Sequence, residues 1–121
     1  MIRFEDIPDD INGDVLRRMR SAGDSLETAR DIDFTVVLPD EPAAIAFCGQ
    51  LTAQGMRASC AFSEAADYLP WDVTVTKFMV PRHGDITAEE SHLASLASVL
   101  GGELDGWVTL NIKDLPADAT D

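Results

Sequence analysis

Apolar and polar positions along the chain recur with two periods, and the switches between them mark seven elements. The first is helical. Val15, Leu16 and Met19 form a stripe at helical spacing, and either Asn12 or Asp14 can cap the opening amides. Arg17, Arg18 and Arg20 face elsewhere and suit the C-terminal end of the helix dipole, and Gly23 ends the helix. Residues 31–38 then alternate strictly, with Ile32, Phe34, Val36 and Leu38 on one side and Asp33, Thr35 and Val37 on the other, as in a half-buried strand. Pro39 stops the strand. Asp40 caps a second helix carrying Ala44, Ile45, Phe47, Cys48 and Leu51, which Gly55 ends.

A second strand is expected over residues 56–62, with Met56, Ala58, Cys60 and Phe62 on one face. A third runs from Trp71 to Val80 around a Val-Thr-Val-Thr core. Pro81 and Gly84 break the chain before a third helix. Its cap is Asp85 or Thr87, and Thr87 with Glu90 matches a capping box. Ile86, Leu93, Leu96 and Leu100 make its stripe, and Gly101-Gly102 stops it. The last strand, about 103–112, puts Leu104, Val108, Leu110 and Ile112 on one face and Trp107, Thr109 and Asn111 on the other.

The order after the first helix is β-α-β-β-α-β. This predicts an α+β, ferredoxin-like domain with a four-stranded antiparallel sheet, two helices on one of its faces and an extra N-terminal helix. A parallel α/β sheet fits less well, because two strands follow one another with no helix between them. At 121 residues the chain suits a single domain. Its core is expected over about residues 12–112, with frayed acidic ends at 1–11 and 113–121.

Charge narrows the function. Nine Lys and Arg stand against 22 Asp and Glu, for a formal charge of −13. A phosphate-binding surface needs a cationic stripe, so direct nucleic-acid binding and attachment to anionic membranes are not expected. Such acidity serves solubility, or it meets a partner rich in Arg and Lys. Acids near the N-terminus argue against a signal peptide, and no window approaches the roughly 18–20 apolar residues of a membrane span. A cytoplasmic location is the expectation. Cys48 and Cys60 read as small core hydrophobes, with no CxxC and no cysteine–histidine cluster.

If the apolar strand faces pack on the helices, the opposite faces form an open surface. Alternation puts Asp33, Thr35 and Val37 on it, with Arg57 and Ser59, with Asp72, Thr74 and Thr76, and with Trp107, Thr109 and Asn111. An RNA-recognition sheet would carry two or three aromatic residues and basic flanks, and this face has neither. Asp33 and Asp72 would act as an acid/base pair only in close approach, and solvated acids at strand ends are the commoner case. His83 and His92 are nine residues apart, which matches no metal-binding spacing, so neither a metal nor another cofactor is expected. Ser91, Ser95 and Ser98 lack a Gly-x-Ser-x-Gly elbow. Gly101-Gly102 follows a helix instead of opening one, so it makes no anion site. Trp107 either anchors an interface or packs under the N-terminal helix or lead-in segment. Trp71 starts its strand and folds back over the Tyr68-Leu69-Pro70 turn.

Several short motifs in order also resemble a known family. Asn12-Gly13-Asp14, Arg30-Asp31-Ile32-Asp33-Phe34, Leu38-Pro39, Thr76-Lys77-Phe78-Met79-Val80-Pro81 and Gly101-Gly102-Glu103-Leu104-Asp105-Gly106-Trp107 are similar to the regulator of ribonuclease activity B family, over about residues 12–112. The resemblance implies a ferredoxin-like domain and a small non-catalytic bacterial regulator. In the family's characterised branch, such a regulator binds ribonuclease E outside its catalytic part and modulates RNA turnover. The short C-terminal tail with Asp114, Asp118 and Asp121 departs from that branch's longer acidic ends. The family brings no catalytic residues, and Gly106 suits a bulge or bend in the last strand.

The leading expectation is therefore a non-enzymatic, protein-binding regulator whose partner is ribonuclease E or another basic protein. Its candidate binding face is Asp33, Thr35, Asp72, Thr74, Thr76, Trp107 and Thr109. The alternatives are a small-molecule-binding or enzymatic domain using the same face, and a homodimer that buries it.

Overall fold

The computed structural model describes residues 7–63 and 69–109. It contains three helices and one four-stranded sheet, an α+β architecture. In chain order these are α1 (Ile11–Ser21), β1 (Arg30–Leu38), α2 (Glu41–Ala53), β2 (Arg57–Phe62), β3 (Trp71–Met79), α3 (His83–Val99) and β4 (Glu103–Thr109). The strand order is β2-β3-β1-β4, and each neighbouring pair is antiparallel. Leu110, Asn111 and Ile112, expected at the end of the last strand, lie outside the described residues, as do Tyr68 and the C-terminal tail.

Strict alternation along β1 produces the core. Ile32, Phe34, Val36 and Leu38 are fully buried, and their β3 neighbours Val73 and Val75 join them. Helix α2 covers β2 and β3 with Ala44, Phe47 and Leu51. Helix α3 covers β1 and β4 with Ile86, Leu93 and Ala97. Both helices feed one apolar cluster, which leaves the opposite side of the sheet without a helix among the described residues. Leu16 of α1 and Leu26 of the following loop reach the same cluster, and α1 packs on α3.

Two of the three helix starts differ from the sequence expectation. Asp10 caps α1, its side chain accepting from Gly13 N at 2.7 Å, so neither Asn12 nor Asp14 is the cap. Asp40 caps α2 as expected, accepting from Ala43 N at 2.9 Å. Helix α3 begins at His83, ahead of both expected caps, and its N-terminus has no side-chain cap bond. Thr87 and Glu90 therefore lie inside the helix and are used elsewhere. Residues 7–10 of the lead-in are docked: Ile7 is buried, and Arg17 donates to its carbonyl at 3.0 Å. Gly13 sits so close to this segment that an added Cβ would lie 1.7 Å from the Pro8 carbonyl oxygen.

Two apolar expectations also change. Ile45 is exposed on α2. Cys60 has the helix-facing register, opposite Val73, yet it too is exposed, because β2 is the edge of the sheet. Cys48 is half-buried, and burial together with the nearby Cys60 thiol pushes its thiol pKa up.

Candidate functional site

Cross-strand neighbours share a face of a sheet, so the register fixes what the open side presents. Asp33 stands opposite Thr76, Thr35 opposite Thr74, and Val37 opposite Asp72. Arg57 and Ser59 extend these rows onto β2. Five of the seven expected site residues, Asp33, Thr35, Asp72, Thr74 and Thr76, thus share one surface. Thr76 Oγ1 donates to Asp33 Oδ1 at 2.6 Å, and Arg57 pairs with Asp31 at 2.6 Å.

The same parity carries the face one step further than the sequence reading took it. Phe78 stands opposite Asp31 and Val108 opposite Asp33. Their exposures are 67% and 66%. Two large apolar side chains therefore flank the Asp31 and Asp33 carboxylates at one end of the sheet. On the Val108 side of these carboxylates, Asp31, Asp33, Val108 and Thr109 line a shallow hollow of about 340 Å³. The signal for Phe78 was in the sequence, two positions beyond Thr76.

Trp107 is not on this surface. The β1–β4 register shifts between Thr35 and Val36, so Leu104 opposes Val36, Gly106 opposes Thr35, and Asp105 is the extra residue. Gly106 takes φ +141 there, a conformation open to glycine and strained for other residues. The bulge changes the alternation across β4. Leu104 and Trp107 both turn toward the helices and pack on the core, Trp107 opposite Phe34, while Val108 turns outward. Simple alternation placed Trp107 with the open-face residues and Val108 with the buried ones, and the inserted residue reverses both. Thr109 opposes Ile32, and its hydroxyl donates to Asp31 O at 2.8 Å while still bordering the hollow.

Trp107 instead packs beside the N-terminal helix. Its indole N–H donates to Asn12 Oδ1 at 2.8 Å. The Asn12 amide donates to Glu90 Oε1 at 2.7 Å and to Thr87 Oγ1 at 3.3 Å. The pair read as a capping box thus ties α3 to α1. Between α1, α3 and β4 lies a cleft of about 460 Å³ with Ile11, Val15, Leu104 and Trp107 as its apolar lining and Asp10, Glu90 and Asp105 as its carboxylates. His83 Nε2 lies 2.8 and 2.9 Å from the two Asp10 oxygens. The Gly13 amide, then His83, then the Arg17 charge hold the Asp10 carboxyl below its ordinary pKa.

Two further charged pairs escaped the sequence reading. Asp24 and Arg30 are both buried and meet as a fork: Arg30 Nη1 donates to Asp24 Oδ2, and Nη2 to Oδ1 at 3.0 Å. Asp24 Oδ1 also accepts from Leu26 N at 2.9 Å, which steadies Leu26 at a positive φ of 66. Lys77 pairs with buried Glu89 at 2.7 Å.

These arrangements offer contact surface, and the two strand carboxylates on it stand apart. Asp33 and Asp72 lie on adjacent strands, but Asp72 faces Val37, four residues along β1 from Asp33. That is a separation of about 13 Å, too far to share a proton. His92 is exposed and reaches Gln54 only at 3.5 Å. Among the described residues no group of three His, Cys, Asp or Glu is placed to hold a metal ion. No described helix is long and apolar enough to cross a membrane.

A comparison with curated proteins finds no match. The model of one protein family, described as regulator of ribonuclease activity B, matches residues 9–109. That span takes in α1, both sides of the sheet and the Trp107 cleft, and the chain belongs to the regulator of ribonuclease activity B family.

Proposed function

We propose that this chain is a non-catalytic regulator that binds ribonuclease E and modulates its cleavage of RNA, using the open face of the sheet. The observation that carries the reading is that face itself. Phe78 and Val108 are exposed around the Asp31 and Asp33 carboxylates, and hydroxyls of Thr35, Thr74 and Thr76 continue the surface. Exposed apolar groups supply desolvation energy on docking, and carboxylates between them select a basic partner and speed its approach. Membership of a family of ribonuclease regulators gives the partner class. A formal charge of −13 points the same way.

On this reading the chain is one domain and works in the cytoplasm, where ribonuclease E is met. The β-α-β-β-α-β order after α1, together with the order β2-β3-β1-β4, supports assignment to the ferredoxin-like plan.

The test is cleavage of a structured RNA by purified ribonuclease E while this chain is titrated in. The expected result is slowed cleavage that saturates with the chain's concentration and weakens as salt rises. Phe78→Ser should restore cleavage while leaving the fold intact. Unchanged cleavage at saturating concentrations of the wild-type chain would sink the proposal. Sedimentation of the chain alone checks the dimer alternative, with a monomer expected.

A further inference from the structure

We infer that the cleft between α1, α3 and β4 is a socket for an arginine side chain of a basic partner segment. The inference rests on the partner-binding reading above and adds a second contact, on the opposite side of the sheet from Phe78. Its floor is apolar, made by Val15, Leu104 and the half-buried Trp107, and Ile11 at the rim is 81% exposed. Glu90 and Asp105 add negative charge, and among the described residues no Lys or Arg lines the space. An apolar floor under carboxylates matches a long side chain with a greasy stem and a cationic head.

The hydrogen bonds around the cleft favour arginine in particular. Trp107 has spent its only donor on Asn12, so the indole meets an occupant through its ring. A guanidinium stacks on such a ring by cation–π attraction and flat contact, which an ammonium does less well. Glu90 uses one oxygen to accept from Asn12, and a carboxylate has capacity for more bonds than that. Because Asn12 fixes both Trp107 and Glu90, ring and carboxylate are held in place before anything binds. Gly106 makes the arrangement possible, since the bulge turns Trp107 to this side.

The test uses the full chain and three probes: hexa-arginine, hexa-lysine and hexa-glutamate peptides. Binding is followed by calorimetry and by the indole Nε1–H resonance of Trp107, assigned by its absence in Trp107→Phe. Hexa-arginine is expected to shift that resonance and to bind more tightly than hexa-lysine, while hexa-glutamate leaves it unmoved. Glu90→Gln with Asp105→Asn should weaken hexa-arginine about five- to tenfold, the size of two exposed charge pairs. Neutralising two exposed carboxylates outside the lining, Glu41→Gln with Glu103→Gln, controls for overall charge and should weaken it less.

If hexa-arginine shifts amides of β1 and β3 and leaves the Trp107 indole in place, the socket is wrong. It is equally wrong if the two double variants weaken binding alike. The partner reading fails separately, through unchanged ribonuclease E cleavage, and that result has no bearing on the indole shift.

Discussion

Gly106 is where the fold and the cleft meet, and Gly106→Ala tests that link in isolation. An added Cβ meets nothing within 4 Å, so no steric clash enters the effect. What remains is backbone. At φ +141 an L residue is held in a region essentially reserved for glycine, at a cost of about 1–3 kcal/mol. Alanine also restricts the unfolded chain, which offsets about 0.4–1 kcal/mol of that. The net expectation is a loss of about 1–2 kcal/mol, or a drop of roughly 3–10 °C in Tm for a domain of this size. Gly49 gives the control, since it also has open space around its Cβ but lies in α2. Gly49→Ala should stabilise by about 0.5–1 kcal/mol, because alanine favours helix. Urea denaturation of both variants, with hydrogen exchange of the Trp107 indole, reads the result. A neutral or stabilising Gly106→Ala would refute the argument that the bulge depends on glycine. So would an indole that exchanges no faster in that variant.

Other expectations follow from single contacts. Asp24→Ala leaves the buried Arg30 guanidinium without its carboxylate, while the Thr28 carbonyl still accepts from Nε at 3.0 Å. A loss of about 3–5 kcal/mol is expected by urea denaturation, and a change under 1 kcal/mol would mean that solvent reaches the pair. Trp107→Phe keeps an aromatic side chain but loses the pyrrole ring and with it the donor to Asn12, which should cost at least about 1–2 kcal/mol and loosen the α1–α3 link, seen as faster amide exchange in α1. Asp10 sets a pH dependence. Its folded pKa lies below the ordinary 3.8, so its contribution is fully present above that value and is lost as pH falls through the lower folded pKa. Asp10→Asn should therefore be less stable than wild type near pH 6, with the gap closing below about pH 3.8; a gap that stays constant to pH 2 would contradict this.

Much of the sheet was legible because burial on one side imposes a period of two. The β1 run from Ile32 to Leu38 carries that period without interruption, and the structure buries the residues it marks. The same rule placed Asp33, Thr35, Asp72, Thr74 and Thr76 together. It failed on β4 because one inserted residue at the bulge changes the parity of the positions on either side, and sequence alone does not tell a bulge glycine from a bend. Local signals failed where tertiary contacts claimed the same side chains. Thr87 and Glu90 have capping-box spacing, yet they reach Asn12 some 75 and 78 residues away in sequence. Asp10 won the α1 cap from Asn12, which is engaged with Trp107. Cys60 was assigned the correct face but not its burial, since its strand has no neighbour on its outer side. The cleft was invisible for the same reason as the Asn12 bridge: one wall comes from α1 and the others from α3 and β4, some 75 to 95 residues further along the chain.

Docking of ribonuclease E on the open sheet face is the proposal at stake. Hydrogen-exchange protection and calorimetry on the complex with the purified enzyme test it most directly, using wild type, Phe78→Ser and a Val108→Ser variant. The account predicts that the enzyme protects β1 and β3 around Asp31, Asp33, Thr76 and Phe78, and that each substitution weakens binding about tenfold or more without altering the free chain's stability. Binding at full strength by both variants, with protection confined to the helices α2 and α3, would contradict it.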